Sequence, residues 1–212
     1  MSVDVAWAQA WIRSSAQVLS EHRAELNTLD REIGDGDHGE NMDRGFQAVL
    51  PKLDALADAA TPGELLKTLA ATLISTVGGA AGPLYGTAYL KAAAAVSGAA
   101  ELDGAAVVAL LTAGRDGIVL RGKAESGDKT MVDAWTPAVE AAVEAEAAGA
   151  SPSLILAAAA DAAEAGAVAT EPWVARKGRA SYLGERAIGH RDPGAQSTAL
   201  ILRCGADAAA QS

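Results

Sequence analysis

The stretch Gly34-Asp35-Gly36-Asp37-His38-Gly39-Glu40-Asn41-Met42, with Asp30 five residues ahead of Asp35, decides how this chain is read. Three carboxylates fall within eight positions, threaded through glycines and followed by an amphipathic helical pattern. Carboxylates at this density repel one another unless a cation sits between them. A hard divalent cation such as Mg²⁺ takes oxygen ligands and keeps positions open for phosphate oxygens. Glycine lets the backbone take positive φ and fold the acids inward. The first reading is therefore a Mg²⁺ site that holds a nucleotide or another polyphosphate. A Gly-Asp-Gly-Asp run is also ordinary turn chemistry. Two features favour the cation. Asp30 lies outside the turn, and Asn41-Met42 begins a helix whose N-terminal amides point back at the loop, a natural phosphate seat.

Outward from this loop the chain reads as helices. A first helix is expected from about Val3 to Leu26, with Trp7, Trp11, Ser15, Val18, His22 and Leu26 near one face, and a second from about Glu40 to Ala59. Thr61-Pro62-Gly63-Glu64 is a capping box with proline at the first helical position, so a third helix starts there and ends at Gly78-Gly79. Gly82-Pro83 opens a fourth that ends near Gly98, and Asp103 caps a fifth that ends near Leu120. Thr130 with Asp133 caps a sixth, in which Pro137 should produce a kink. Ser151-Pro152 opens a seventh, and the last runs from about Ala195 to Ala208. That makes eight helices and no convincing strand, in one domain spanning residues 1–212.

Composition agrees with an all-α fold. Half of the 212 residues are hydrophobic, while only one Phe, three Tyr and four Trp occur. Alanine dominates the apolar set; it is the best helix former, and its small side chain lets helices approach closely. The net charge of −10, from 27 acids against 17 bases, speaks against nucleic acid as a partner. An acidic protein that binds phosphate needs a metal to neutralise its ligand, which agrees with the aspartate cluster. The single Cys204 reads as a small buried core residue. No signal peptide opens the sequence, and no uninterrupted apolar run reaches the ~18–20 residues of a membrane span. A cytoplasmic protein is expected.

Four segments between helices are rich in glycine and polar residues: Asp30–Asn41, Gly78–Gly82, Arg121–Thr130 and Arg176–Gly194. The last is long for a loop in a compact domain, which points to function. Five arginines or lysines fall between Arg176 and Arg191, the one basic concentration in the sequence. Closed over the aspartate loop, it would give a phosphate both cation and cover. A solvated charged loop is the alternative.

Four motifs in order resemble one family: Asp30 with Asp35-Gly36-Asp37-His38-Gly39 and Asn41-Met42; Gly78-Gly79-Ala80-Ala81-Gly82-Pro83-Leu84-Tyr85-Gly86-Thr87; Arg121-Gly122-Lys123-Ala124-Glu125 with Asp128-Lys129-Thr130-Met131 and Asp133; and Gly178-Arg179-Ala180-Ser181-Tyr182-Leu183-Gly184-Glu185-Arg186 with Asp192-Pro193-Gly194-Ala195. Over nearly the whole chain the sequence is similar to the nucleotide-binding L subunit of dihydroxyacetone kinase. The resemblance implies an antiparallel eight-helix barrel with the nucleotide at one end. It implies that Asp30, Asp35 and Asp37 hold two Mg²⁺ ions, which bridge the phosphates of ADP or ATP. His38, Gly39 and Asn41 match positions near the phosphates. Gly79, Ala80 and Ala81 match a glycine loop whose backbone approaches the nucleotide; the family often has Ser or Thr where this chain has Ala80-Ala81. Gly122 and Met131 match positions that line the adenine pocket. Arg179 and Asp192-Pro193-Gly194 match a closing loop.

The chemistry of such a protein is positioning and charge neutralisation rather than covalent work. No covalent nucleophile stands out: Cys204 lacks an activating context, Ser126 and Ser181 lack an adjacent base, and the neighbours of His38 suit a hydrogen bond to ligand better than phosphoryl transfer. The resemblance further implies a separate K subunit that holds dihydroxyacetone. In one branch of the family a phosphocarrier M subunit of the phosphotransferase system recharges bound ADP; in the other, ATP exchanges as an ordinary substrate. A second copy of the chain is a further partner to consider, and neither nucleic acid nor membrane is. Two alternatives stay open: the L subunit of a kinase for another ketose, and a non-catalytic nucleotide-binding regulatory module.

Overall fold

Helix starts in this protein are fixed by local side-chain chemistry. The structure, a computed structural model, describes residues 3–56 and 61–211. Asp4 accepts the amides of Ala6 and Trp7 and starts α1 (Val5–Glu21). After a break at His22 the chain continues as α2 (Arg23–Ile33), and then α3 (His38–Asp54). Thr61 and Glu64 exchange both bonds of a capping box at the start of α4 (Pro62–Thr76). There follow α5 (Ala81–Ala95), α6 (Gly104–Gly122) capped by Asp103, α7 (Val132–Ala147), α8 (Pro152–Ala169) capped by Ser151, and α9 (Pro193–Ala210) capped by Asp192.

Consecutive helices pack as neighbours from α3 to α9, and α1 packs against both α3 and α9. The ring is thereby closed, and eight helices form the expected barrel. The ninth, α2, is the continuation of the first past His22. The first helix was expected to stop at Leu26; after its break it runs on to Ile33, which puts Asp30 on a helix rather than in the loop. The end of the second expected helix, at Ala59, lies outside the described residues. Pro137 sits inside α7, which continues through it.

Two further corrections concern short elements. A strand of two residues, β1 (Val3–Asp4), pairs antiparallel with β2 (Glu101–Leu102). Two residues are too few for alternation to show in a sequence. Within the basic segment, Arg179–Ala187 forms 3-10 turns with a non-helical break at Gly184.

The centre of the barrel is filled by a few large rings, while alanines occupy the helix contacts. Trp7 and Trp11 stack at 5.1 Å, Trp11 meets the edge of Tyr89 at 5.9 Å, and Phe46 meets Tyr89 at 6.5 Å. The Trp7 indole donates to the Gly205 carbonyl at 2.9 Å, and Trp11 donates to that of Ile201 at 2.7 Å. Both bonds join the first helix of the ring to the last, so one pair of residues fills the core and closes the barrel. Among the described helices, α8 alone has the length and apolar composition to cross a membrane. It instead buries a face against its neighbours α7 and α9, and its Asp161 and Glu164 pair with Arg203 of α9.

Trp11→Phe keeps an aromatic ring and removes the donor to Ile201. A lost buried hydrogen bond costs about 1–3 kcal/mol, which in a chain of this size lowers Tm by roughly 2–10 °C. Thermal unfolding followed by circular dichroism measures it; an unchanged Tm would show that the bond does not contribute to closing the barrel.

Candidate functional site

One end of the barrel carries the loops that connect α2 to α3, α4 to α5, α6 to α7 and α8 to α9. Asp30, in the last turn of α2, is nearly buried, and its Oδ2 accepts three consecutive amides, from Gly36, Asp37 and His38, at 2.8, 2.9 and 3.2 Å. That one oxygen folds the loop. Gly34 is required beside it, because a Cβ there would stand 2.2 Å from the other carboxylate oxygen of Asp30. Asp35 and Asp37 are exposed and stand free of such amide bonds. Oxygens of Asp30, Asp35 and Asp37 lie within 4.8 Å of one another. Three hard carboxylate donors at this spacing suit Mg²⁺.

These residues line one end of an open cleft. Of the residues expected here, Asp30, Asp35, Asp37, His38, Asn41, Gly79, Ala80, Ala81, Met131, Arg179, Asp192, Pro193 and Gly194 all line it. Gly122 lines a second, more apolar hollow with Pro83, Leu84, Ile118, Ala124 and Val132. The two hollows share Ala80, Leu84, Thr130, Met131, Lys177 and Gly178, so they form one continuous groove, charged at one end and apolar at the other. Gly39 lines neither. A Cβ at Gly39 would come within 2.2 Å of the Arg23 carbonyl oxygen, so its place is the close packing of α3 on α2.

The start of α3 is a weaker phosphate seat than its sequence implies. The amide of His38 is taken by Asp30, and that of Glu40 by Asn27 Oδ1 at 3.0 Å. At the start of α9, Asp192 takes the amide of Ala195 at 2.8 Å. By contrast α5 begins at Ala80-Ala81 without a side-chain cap, and both residues line the cleft. A helix N-terminus in that condition attracts an anion through backbone amides alone. Alanine at both positions supplies no hydroxyl.

His38 and Asp192 owe their state to burial. His38 Nε2 meets Ser197 Oγ at 2.8 Å, and Ser197 meets the Tyr85 hydroxyl at 2.7 Å. Burial lowers the His38 pKa to about 4, against the opposing pull of Asp35, so the ring is neutral at neutral pH. Burial raises Asp192 to about 7, with Asp133 and Asp30 adding to the effect and Lys129 opposing it. Asp30 is raised for the same first reason, with Asp35 contributing. The site carries crowded negative charge.

The basic segment does reach the aspartate loop: the Arg179 guanidinium pairs with Asp35. Lys177, Gly178, Arg179 and Ala180 form the adjoining wall of the cleft. Below them Ala180 and Ala187 pack with Ile33 and Ala175 in a small apolar cluster of their own. Sequence reading missed three parts of this site. Asn27 caps α3, Ser197 and Tyr85 hold His38, and Lys129, 1 % exposed, is buried against the lid. Tyr85 and Lys129 had a local cue, their places inside recognised motifs.

Known proteins bear the same pattern. Residues 32–207 match the DAK2 domain family. The chain is 46% identical over 193 residues to the ADP-binding subunit DhaL of the PEP-dependent dihydroxyacetone kinase of Escherichia coli, covering 91% of each chain. It is 41% identical over 202 residues to a DhaL subunit from Listeria innocua, covering 95% of this chain and 96% of the relative. Its fold is similar to part of the dihydroxyacetone kinase from C. freundii in complex with AMP-PNP and Mg²⁺, with a TM-score of 0.70 and 27% identity, covering 98% of this chain and 34% of that one.

The carboxylates differ in what they hold, and substitution separates them. Asp30→Ala should lose both the loop and a metal donor, lowering stability by about 1.5–3 kcal/mol. Asp35→Ala removes only an exposed ion pair, worth under about 1 kcal/mol, and should weaken Mg²⁺ binding at nearly unchanged Tm. Equal Tm for the two variants would contradict the loop-folding role of Asp30.

Proposed function

We propose a nucleotide-carrying role in triose phosphorylation for this chain, which belongs to the DAK2-domain family of ADP-binding dihydroxyacetone kinase subunits. Its groove takes ADP or ATP with Mg²⁺, and the γ-phosphoryl group passes to dihydroxyacetone held by a separate K subunit. The observation that carries this reading is the groove itself: three converging carboxylates at one end and an apolar slot beside Gly122 and Met131 at the other.

Each residue has a task under this reading. Asp30, Asp35 and Asp37 hold Mg²⁺, which we take as two ions. Bound Mg²⁺ would neutralise phosphate charge and so ease phosphoryl transfer. The amides at the start of α5, with Gly79, Ala80 and Ala81, hold phosphate oxygens. Neutral His38, fixed through Ser197 and Tyr85, and Asn41 border the phosphates. Met131 and Gly122 border the base. Arg179 reaches the phosphate end from the lid and helps exclude water. Asp192 starts α9 beneath the lid, with Pro193 and Gly194 along the wall.

The chain also fits the role of half an enzyme. Most of its length forms the barrel and the nucleotide groove, and we place the triose on another subunit. In-line transfer requires donor and acceptor within a few ångströms, so the K subunit docks on the rim formed by the four loops. Tyr182, 86 % exposed, stands on the lid at that rim. We propose further that the chain is one domain working in the cytoplasm, and that a phosphocarrier M subunit recharges its ADP; that the Escherichia coli relative is named PEP-dependent and ADP-binding supports a phosphoryl source other than free ATP.

Calorimetry with ADP, with and without Mg²⁺, tests the nucleotide reading: tight binding should require the metal, and equal affinity in EDTA would overturn it. The purified chain should not phosphorylate dihydroxyacetone until a K subunit is added. Turnover by the chain alone would overturn the division of labour.

A further inference from the structure

Lys129 is the least expected residue near the cleft. It is a lysine at 1 % exposure, in a backbone conformation (φ +63°) that L side chains rarely adopt. Among the described residues no carboxylate is bonded to its ammonium. Instead Nζ donates to three backbone carbonyls: Glu171 at 3.3 Å, Trp173 at 3.0 Å and Ala187 at 2.6 Å. An ammonium has three donors and no acceptor, so this arrangement satisfies it fully. Burial lowers its pKa, while Asp192 and Glu171 favour the charged form.

The three carbonyls are not neighbours in sequence. Glu171 and Trp173 precede the segment 174–186, which carries Arg179, and Ala187 follows it. One ammonium therefore gathers both roots of the lid. Lys129 itself belongs to the loop between α6 and α7, and that loop is held in turn. Asp133 accepts the amides of Gly127 at 2.5 Å and Thr130 at 2.8 Å, and the Asp128 carbonyl accepts the Arg176 amide at 2.9 Å. Met131, two residues on, lines the apolar slot. The same short loop thus borders the slot and ties the lid.

We propose that Lys129 is a positioning residue of this site: by gathering the two roots of segment 174–186 it sets Arg179 over the carboxylate end of the groove before nucleotide arrives. The proposal rests on the nucleotide-binding reading above, but its first readout does not require nucleotide. Lys129 acts through Arg179 and the lid, and its three bonds are all made to the protein's own backbone. Methionine in its place would keep the stem and lose every donor.

Hydrogen exchange on the free protein compares wild type with Lys129→Met. Amides of 174–189 should exchange roughly tenfold faster or more, while those of α4 and α5 keep their protection. Calorimetry should show MgADP affinity roughly tenfold weaker or worse in Lys129→Met and in Arg179→Ala. Because both act through one element, the double variant should bind within about threefold of the weaker single. Unchanged exchange over 174–189, or losses that multiply in the double variant, would overturn the proposal. A wild type that binds no MgADP would sink the nucleotide reading and leave the exchange result to decide Lys129. Should Lys129→Met fail to fold, Lys129→Gln, with two donors, takes its place in the same measurements; wild-type behaviour then overturns the proposal. Failure of both variants to fold would also overturn it, assigning Lys129 to stability alone.

Discussion

One carboxylate oxygen organises the site end of this barrel. Asp30 Oδ2 accepts three successive amides and so converts a run of acids and glycines into a fixed loop. A carboxylate that accepts several amides is stabilised as the anion, while burial works the other way; here burial is the larger effect and the net shift is upward. A cation beside Asp30 would offset that penalty. The same bonds hold Asp35 and Asp37 at a distance from Asp30 that a metal ion can span. Loop order therefore rests on Asp30, whereas Asp35 and Asp37 add exposed carboxylates, the first of them paired with Arg179.

Small side chains line the helix contacts of the barrel beneath. Ala70, Ala88, Ala92, Ala134, Ala138, Ala160 and Ala163 are buried on its helices, and small side chains allow close approach of backbones. Large rings are kept for the centre, where Trp7, Trp11, Tyr89 and Phe46 meet edge to face or stacked. Tryptophan is useful there because its single donor finds a carbonyl on α9 while its rings fill volume. At the site end the lid packs on a small apolar cluster of its own, separate from this main core.

What the sequence disclosed follows from how local each cause is. The capping box at Thr61 and Glu64, the caps at Asp103 and Ser151, and the prolines after caps act within four residues, and each marks a helix start that the structure contains. The aspartate spacing is equally local. His22 broke the first helix without a glycine or proline to announce it, so the length of that helix was misjudged. The partners of His38 and Lys129 were illegible for another reason. Ser197 is 159 positions from His38, and Ala187 is 58 from Lys129. No periodicity encodes such contacts; they exist only once the ring has closed. The occupied Glu40 amide at the start of α3 is a similar case, since Asn27 reaches it from the preceding helix.

Charge explains why these distant contacts matter. On the nucleotide reading, a chain of net charge −10 must hold a ligand that is itself an anion. The cations lining the cleft are Lys129, Lys177 and Arg179, and one of them is spent on carbonyls while another is spent on Asp35. Protein charge alone therefore leaves the phosphate end negative. On the nucleotide reading, a divalent metal would reverse that balance locally and would compete with Arg179 for the same Asp35 carboxylate. Metal bound there would weaken the Arg179–Asp35 ion pair and leave the guanidinium beside the carboxylates. Attraction of nucleotide, on that reading, would be a property of the metal-loaded loop rather than of the polypeptide by itself.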